Sequence, residues 1–359
     1  MEGMIYLLRH GRMLLPEDGR FCIGRGSDPE LSYDGRKEAV KLRDCFPDLE
    51  RIYCGPLTRM RETARITTDK QAEIIVLPEF TDIDVGEWEG MDFRDIRKKY
   101  PDIYRARGRD WSIPPVGGES LESAADRIQS AVMSLAERNK EEVAVVTSDG
   151  AIRALLWRLM RLDTRHDTMI QEPYGSITAL RYENGALTVT AIGKLPEDSP
   201  DDAEIEELWD LCGTPQGVRD HSAAVCELCI EIREKLISSG IVLSYGRLRT
   251  AAMLHDVCRS EGNLHAAYAA NLLRERGYLS IARLIEQHHD GYIGDKVDES
   301  IVLYLADKMT NGTERVTLEE RFGKSLAKCR TDEAKAMHRM RLDRAIEVQK
   351  KIEDITGKL

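Results

Sequence analysis

The sequence predicts an α/β three-layer domain with a mainly parallel sheet, followed by an all-α domain. Three observations carry this expectation. Up to about residue 193, short apolar runs alternate with segments of helical spacing, which is how a sheet covered by helices reads. At 195–208 the stretch LPEDSPDDAEIEEL, with two prolines and seven acidic residues, interrupts that alternation. Beyond it strand signals almost vanish, and a chain of 359 residues is in any case too long for one ordinary core.

Taken in order, MIYLLRHG, RIYC, EIIVL, EVAVVTS, ITALRY and LTVTAI read as strands. Residues 36–46, 57–68, 93–100, 120–139 and 150–162 between them carry helical periodicity. Ser120 is placed as an N-cap, and ENG at 183–185 as the hairpin turn joining the last two strands. In the second half RDHSAAVCELCIEIREKL, RLRTAAMLHDV, LHAAYAANLLRERG, LSIARLIEQHH and ESIVLYLADKM all have helical spacing, as does a charged segment near 331–355. The expected division is a first domain at 1–194, an acidic linker at 195–214, a helical domain at 215–325 and a helical extension at 326–359.

Bulk properties narrow the function. The chain is 42% hydrophobic and 32% charged, and no apolar run approaches the roughly 20 residues of a membrane span. The opening MEGMIYLLRHGR lacks a basic flank and reads as a core strand rather than a signal peptide. A net charge of −11 argues against non-specific nucleic-acid binding. The eight cysteines are scattered; the one CxxC, Cys226 with Cys229, lies in a helical pattern without a second pair and reads as packing. These features describe a reduced cytoplasmic protein, and the charged C-terminal helix suggests a homodimer.

The first strand ends in Leu8-Arg9-His10-Gly11. A neutral imidazole there can attack a phosphoryl group, a guanidinium can neutralise the phosphate oxygens, and glycine permits close backbone approach. RHG is joined by LSYDGRKEA at 31–39, CGPLTRMRETA at 54–64, FTDIDVGEWEGM at 80–91 and GGESL at 117–121. In order and spacing this set resembles the histidine phosphatase superfamily across nearly all of residues 1–193. The resemblance implies a phosphoglycerate mutase-like fold in which Arg9 and Arg59 bind phosphate and His10 becomes the phosphohistidine. It also implies that Asp82 is the general acid, standing where a glutamate is usual and reaching one methylene less far. Arg61 is expected at the rim, Asp84 on the other face, and Gly86, Trp88, Glu89 and Gly90 in structural roles. Arg12 stands where a glutamate is more usual and adds positive charge beside the site.

That family closes a strand with a second histidine before a helix. In AVVTSDGAIR the place is taken by Ser148, with Asp149 beside it. Losing such a donor costs on the order of 100–1,000-fold in rate. A serine can still donate a hydrogen bond, without charge, and Asp149 needs an arginine to offset it. Two readings follow: a working phosphatase on a reduced site, or a domain that binds an anionic metabolite without turnover.

Six of the eight histidines lie after the acidic stretch. Around Leu254-His255-Asp256-Val257 the succession RDHSAAV, AAMLHDV, NLHAAYAANLL, LIEQHHD and YLADKM resembles the HD superfamily of metal-dependent phosphohydrolases over roughly residues 215–325. The resemblance implies a basic metal site of His221, His255, Asp256 and Asp307. His265 and His288 supply a second ion with Asp256 bridging, and His289 is an alternative to His288. Manganese, iron and magnesium all suit such ligands, as one or two divalent ions. Tyr268 and Asp290 are placed at the pocket, and His338 in solvent. The chain as a whole is expected to be a two-domain phosphohydrolase of small phosphorylated metabolites or nucleotides. The alternative is an HD enzyme regulated by a non-catalytic, phosphate-binding first domain.

Overall fold

The computed structural model describes residues 2–43, 45–46, 49–68, 72–139, 142–165, 170–241, 243–289, 296–326 and 329–357. The chain forms two compact units, one of residues 1–196 with 275–277 and one of 197–274 with 278–359.

In chain order the first unit contains β1 (Glu2–Arg9), α1 (Tyr33–Arg43), β2 (Arg51–Cys54), α2 (Thr58–Thr67) and β3 (Glu73–Val76). It continues through α3 (Phe93–Lys99), α4 (Pro101–Arg107), α5 (Leu121–Arg138), β4 (Val143–Thr147), α6 (Asp149–Met160), β5 (Ile177–Glu183) and β6 (Ala186–Lys194). The six strands run β3-β2-β4-β1-β5-β6. β1 pairs in parallel with β4, and β2 with both β3 and β4, while β5 and β6 are antiparallel. The central strands read as unbroken apolar runs because both faces are covered by helices: Ile5 to Leu8 and all of Val143 to Thr147 are buried.

Local chemistry explains the boundaries. The Ser120 hydroxyl accepts the Ser123 N–H at 3.1 Å and starts α5. Asn184 and Gly185, at φ 51° and 80°, make the two-residue turn between β5 and β6, the geometry that right-twisted strands favour. The helix α4 lay outside the expected set; Pro101 at its first position presets φ and needs no N–H partner. The segment 81–85 is not a strand, so Asp84 is set apart by its own bonds, to the Arg25 guanidinium at 2.6 Å and the Gly86 N–H at 2.8 Å.

The second unit is helical: α7 (Asp202–Leu211), α8 (Gln216–Ser238), α9 (Tyr245–Leu254), α10 (His265–Glu275), α11 (Leu279–Glu286) and α12 (Glu299–Lys308), then a two-residue-per-strand hairpin, α13 (Leu318–Leu326) and α14 (Asp332–Thr356). Half of the stretch read as a linker is α7, whose Ile205, Leu208 and Trp209 enter the same core as Val225 and Ile232 of α8. Its acidic residues occupy the exposed face and first turn, where they favour the helix N-terminus. The C-terminal helix also belongs to that core, through Ala345, Val348 and Ile352. His338 is only half-buried, accepting or donating at 2.8 Å with the Ser325 hydroxyl, rather than solvated. Cys229 is fully buried and Cys226 partly, both as free thiols. No described helix is long and apolar enough to cross a membrane.

Because Ile352 is fully buried in this core, Ile352→Ala should destabilise the second unit by about 2–5 kcal/mol. Urea titration followed by far-ultraviolet circular dichroism measures it; a loss below about 1 kcal/mol would show α14 to be an appendage.

Candidate functional site

In the first unit the parallel pairing of β1 with β4 brings their C-terminal ends together, with Arg9 opposite Thr147. His10 follows β1, is 2% exposed, and donates its backbone N–H to the Thr147 carbonyl at 3.0 Å. Its ring Nδ1 lies 2.8 Å from the Gly11 carbonyl. A carbonyl only accepts, so Nδ1 carries the proton and Nε2 keeps its lone pair. Burial, with Arg59 and Arg9 nearby, pushes the His10 pKa down to about 3, so the ring is neutral and nucleophilic at physiological pH. Gly11 is required by packing: a Cβ there would stand 2.2 Å from the Gly35 carbonyl oxygen. The close approach is thus to α1.

Arg59, on α2, is fully buried. Its Nε donates to His10 Nε2 at 3.3 Å, Nη1 to the Ser27 carbonyl at 2.9 Å, and Nη2 to the Gly24 carbonyl and Asp82 Oδ2, both at 3.0 Å. Asp82 is buried as well, and its other oxygen accepts the Ile83 N–H at 2.9 Å and the Ser148 hydroxyl at 2.7 Å. Burial raises the Asp82 pKa against the opposing pull of Arg59 and Ser148. Ser148 also caps α6, its hydroxyl oxygen accepting the Ala151 N–H at 3.2 Å. It was expected as a donor to phosphate; here both functions of its hydroxyl are committed, to Asp82 and to the helix.

A cavity of about 530 Å³ opens in front of this cluster. Arg9, His10 and Asp82 line it, whereas Arg59 and Ser148 are not among its lining residues. Both are bonded to groups that do line it, Arg59 to His10 and Asp82, and Ser148 to Asp82. Asp149 also lines the cavity and is offset by Arg153, 3.6 Å away on the next turn of α6. Arg12 is largely exposed and bonds Glu38 through its backbone N–H at 2.7 Å, and Arg61 is exposed.

Two residues of this site were not anticipated. Arg9 donates to the Glu172 carbonyl and lies 3.8 Å from the centre of the Tyr174 ring. The Glu172 side chain is buried, accepting from Thr178 at 2.6 Å and Ser176 at 3.0 Å. Burial lifts its pKa to about 7, against the pull of those two hydroxyls. QEPYGSIT carries no periodic signal of this; only the fold brings it beside β1.

In the second unit the ligand atoms fall into two clusters, His221, His255 and Asp307, and Asp256, His265, His288 and His289. All six expected ligands are brought together, and His289 joins its neighbour instead of replacing it. They come from α8, the end of α9, the start of α10, the turn after α11, and α12. Asp256 Oδ2 is 3.7 Å from His255 Nε2 and Asp256 Oδ1 is 2.9 Å from His265 Nε2, which places this carboxylate between the clusters. Asp307 Oδ1 lies 3.3 Å from His221 Nε2 and 3.8 Å from His255 Nε2.

Four of the imidazoles are oriented alike. The Nδ1 atoms of His221, His255, His265 and His288 face the carbonyls of Gly312, Ala252, Gly262 and Ile285 at 2.5–2.8 Å. Each Nδ1 therefore holds the proton and turns a bare Nε2 inward, the arrangement metal-binding histidines adopt. Nε2 of His255 and of His288 is buried without a hydrogen-bond partner. Mixed imidazole and carboxylate donors with unsatisfied buried lone pairs fit a divalent cation. Burial lowers the His255 pKa to about 4 and that of His289 to about 3. Burial would push Asp256 and Asp307 up. The neighbouring cationic and imidazole groups, His288 with Arg259 at Asp256 and Lys308 with His221 at Asp307, outweigh it and hold both carboxyls below the usual range. His221 alone is raised, chiefly by its bond to Asp307. Tyr268 is 51% exposed, and Asp290 lies outside the described residues.

Comparison with known proteins identifies a domain in each half of the chain. The model of the histidine phosphatase superfamily (branch 1) matches residues 5–194, and that of the HD domain matches residues 218–312. The adenosylcobalamin/alpha-ribazole phosphatase of Escherichia coli (strain K12) is 27% identical over 161 residues, 44% of this chain and 78% of that protein. The metal-independent phosphoserine phosphatase of Arabidopsis thaliana is 32% identical over 164 residues, 43% of this chain and 68% of its own. Among solved structures, Bacillus stearothermophilus YhfR matches with a TM-score of 0.50 and 25% identity, covering 54% of this chain and 98% of that one.

Two outcomes follow from these charges. The folded Glu172 pKa of about 7 exceeds the ordinary 4.5, so its contribution to stability is complete below 4.5 and is lost as pH rises through 7. Glu172→Gln should gain on the parent across that interval by roughly 1–3 kcal/mol, read by urea unfolding at several pH values; a constant difference would refute it. Manganese should raise the thermal midpoint of the parent but not of His255→Ala. Its affinity should climb with pH as His221, raised above 6.5, gives up its proton; calorimetric titration showing neither would refute the metal centre.

Proposed function

Starting from a chain that belongs to the histidine phosphatase superfamily and carries an HD domain behind it, a phosphohydrolase, we propose two independent hydrolytic centres for small phosphorylated metabolites or nucleotides. The observation that carries the first is the buried His10 imidazole, neutral, with Nε2 free of a proton and Asp82 on the same cavity wall.

In the first unit the ester's phosphorus sits in line with His10 Nε2, and Arg9 meets the phosphate oxygens. Nε2 releases the Arg59 N–H that it accepts in the resting site and forms the N–P bond while the P–O bond to the leaving alcohol breaks. Asp82, whose hold on a proton burial strengthens, gives its proton to that oxygen. The resulting carboxylate then takes a proton from water as it attacks the phosphohistidine, and inorganic phosphate leaves. Arg59 holds His10 and Asp82 in mutual register, and Ser148 fixes the Asp82 carboxyl. The Arabidopsis relative is described as metal-independent, which agrees with a route that needs only side chains.

In the second unit His221, His255, Asp256, His265, His288 and Asp307 would hold one or two ions of manganese, iron or magnesium, with His289 alongside. When bound, such ions supply an acidified water and a counter-charge for phosphate. The chain's part is to present bare Nε2 atoms and ionised carboxylates at fixed positions. Lys308, 2.6 Å from Asp307 Oδ2, and Arg259, 3.2 Å from Asp256 Oδ1, place positive charge beside them.

One observation favours a second reading, in which the first unit binds a phosphorylated metabolite and regulates the HD enzyme. The Ser148 hydroxyl, standing where a second imidazole is usual, is turned onto Asp82 and the helix cap. The readings separate in assays of the full chain with excess EDTA. Under the first, EDTA-resistant phosphatase activity disappears in His10→Ala, falls about 100-fold in Asp82→Asn and about tenfold in Ser148→Ala. Under the second, all activity is EDTA-sensitive, is lost in Asp256→Ala and is untouched by His10→Ala.

A further inference from the structure

The cavity in front of His10 is larger and more aromatic than a short-chain phosphate requires. A cavity of roughly 150 Å³ holds a benzene ring, and this one measures about 530 Å³. Aromatic residues make up only 6% of the chain, yet Phe21, Trp88, Phe93, Tyr104, Trp111 and Tyr174 all line it. Phe93 stands at the rim, 36% exposed at the start of α3, leaving apolar surface in water that a bound ring would cover.

The charged groups on the walls are already engaged. Glu119 is bonded to Arg127 at 2.8 Å, and Asp149 faces Arg153 at 3.6 Å. Arg107 donates to the carbonyls of Trp111, at 3.0 Å, and Ile113. The Arg153 guanidinium stacks 5.3 Å from the centre of the Trp111 ring. A sugar or a three-carbon acid would find its hydroxyls facing aromatic walls and paired charges, and burying a polar group without a partner is unfavourable. Flat rings suit those walls, through offset or edge contacts.

We infer that the first unit takes phosphomonoesters of a multi-ring aromatic or heteroaromatic group, with the phosphate at Arg9 and His10 and the rings between Phe93, Trp111 and Tyr104. This rests on the phosphate-binding reading of the same site and names its substrate class.

The test is calorimetric binding to the full chain in EDTA, with non-hydrolysable probes. 1-Naphthylmethylphosphonate should bind about 100-fold more tightly than methylphosphonate or 2,3-dihydroxypropylphosphonate. Phe93→Ala and Trp111→Ala should each cut that preference about tenfold; Phe93, lying at the surface, keeps the test informative if Trp111→Ala fails to fold. Arg9→Ala should abolish binding of all three. Equal affinity for the three probes, or a preference that survives Arg9→Ala, would overturn the assignment. Failure of the phosphatase reading would look different: selective naphthyl binding without any His10-dependent turnover.

Discussion

The first unit is organised around a guanidinium that never meets solvent. Arg59 is fully buried and its donors are divided among His10, Asp82 and two carbonyls of the loop at 24–27. An isolated charge in such a place would be prohibitive, and a planar fork that satisfies several acceptors at fixed angles is what makes it tolerable. The same fork sets the distance between a base just after β1 and an acid on the loop after β3. Neither partner sits in regular structure, so their geometry depends on this side chain more than on the sheet. Arg59 reaches the reacting groups through His10 Nε2 and Asp82 Oδ2.

A common device runs through both units. His10 and four histidines of the second unit give Nδ1–H to a nearby main-chain carbonyl. The backbone thereby selects the tautomer before any ligand arrives. In the first unit that lone pair meets the Arg59 N–H and is suited to phosphorus; in the second it suits a cation. Burial then lowers the affinity of His10, His255 and His289 for protons, so their lone pairs are not lost to mild acid. The carbonyls come from the same segment in most cases, as with Ala252 for His255 and Ile285 for His288, which makes the orientation a local property of helix ends.

Much of this was legible in the sequence for a physical reason. The six strands and five of the first unit's helices follow binary patterns, and buried parallel strands such as IYLL and VAVV leave little ambiguity. The side chains of the second unit's two clusters could be picked out because a metal site demands particular residue types in a fixed order. What escaped was relational. Glu172 and Tyr174 matter only because β5 returns beside β1 and lays them against Arg9. The acidic stretch read as a linker leading into a helix, and the bounds of α7 and its place in the core emerge only when Ile205, Leu208 and Trp209 are seen to share one face. For Ser148 the substitution was visible, but not the carboxyl it faces.

That last contact limits how this site could change over time. Ser148 at once starts α6 and holds Asp82, and Gly150 beside it leaves no slack, since a Cβ there would meet Asp82 Oδ1 at 3.1 Å and Ile83 Cγ1 at 2.9 Å. Installing an imidazole at 148 would remove the cap and the carboxyl's partner in one step, while adding bulk against a packed turn. Replacements at 82, 148 and 150 are thus coupled and not additive. The two-histidine arrangement is therefore not reached from this site by a single neutral substitution. The present pair is a separate solution, with its own constraints on what can follow.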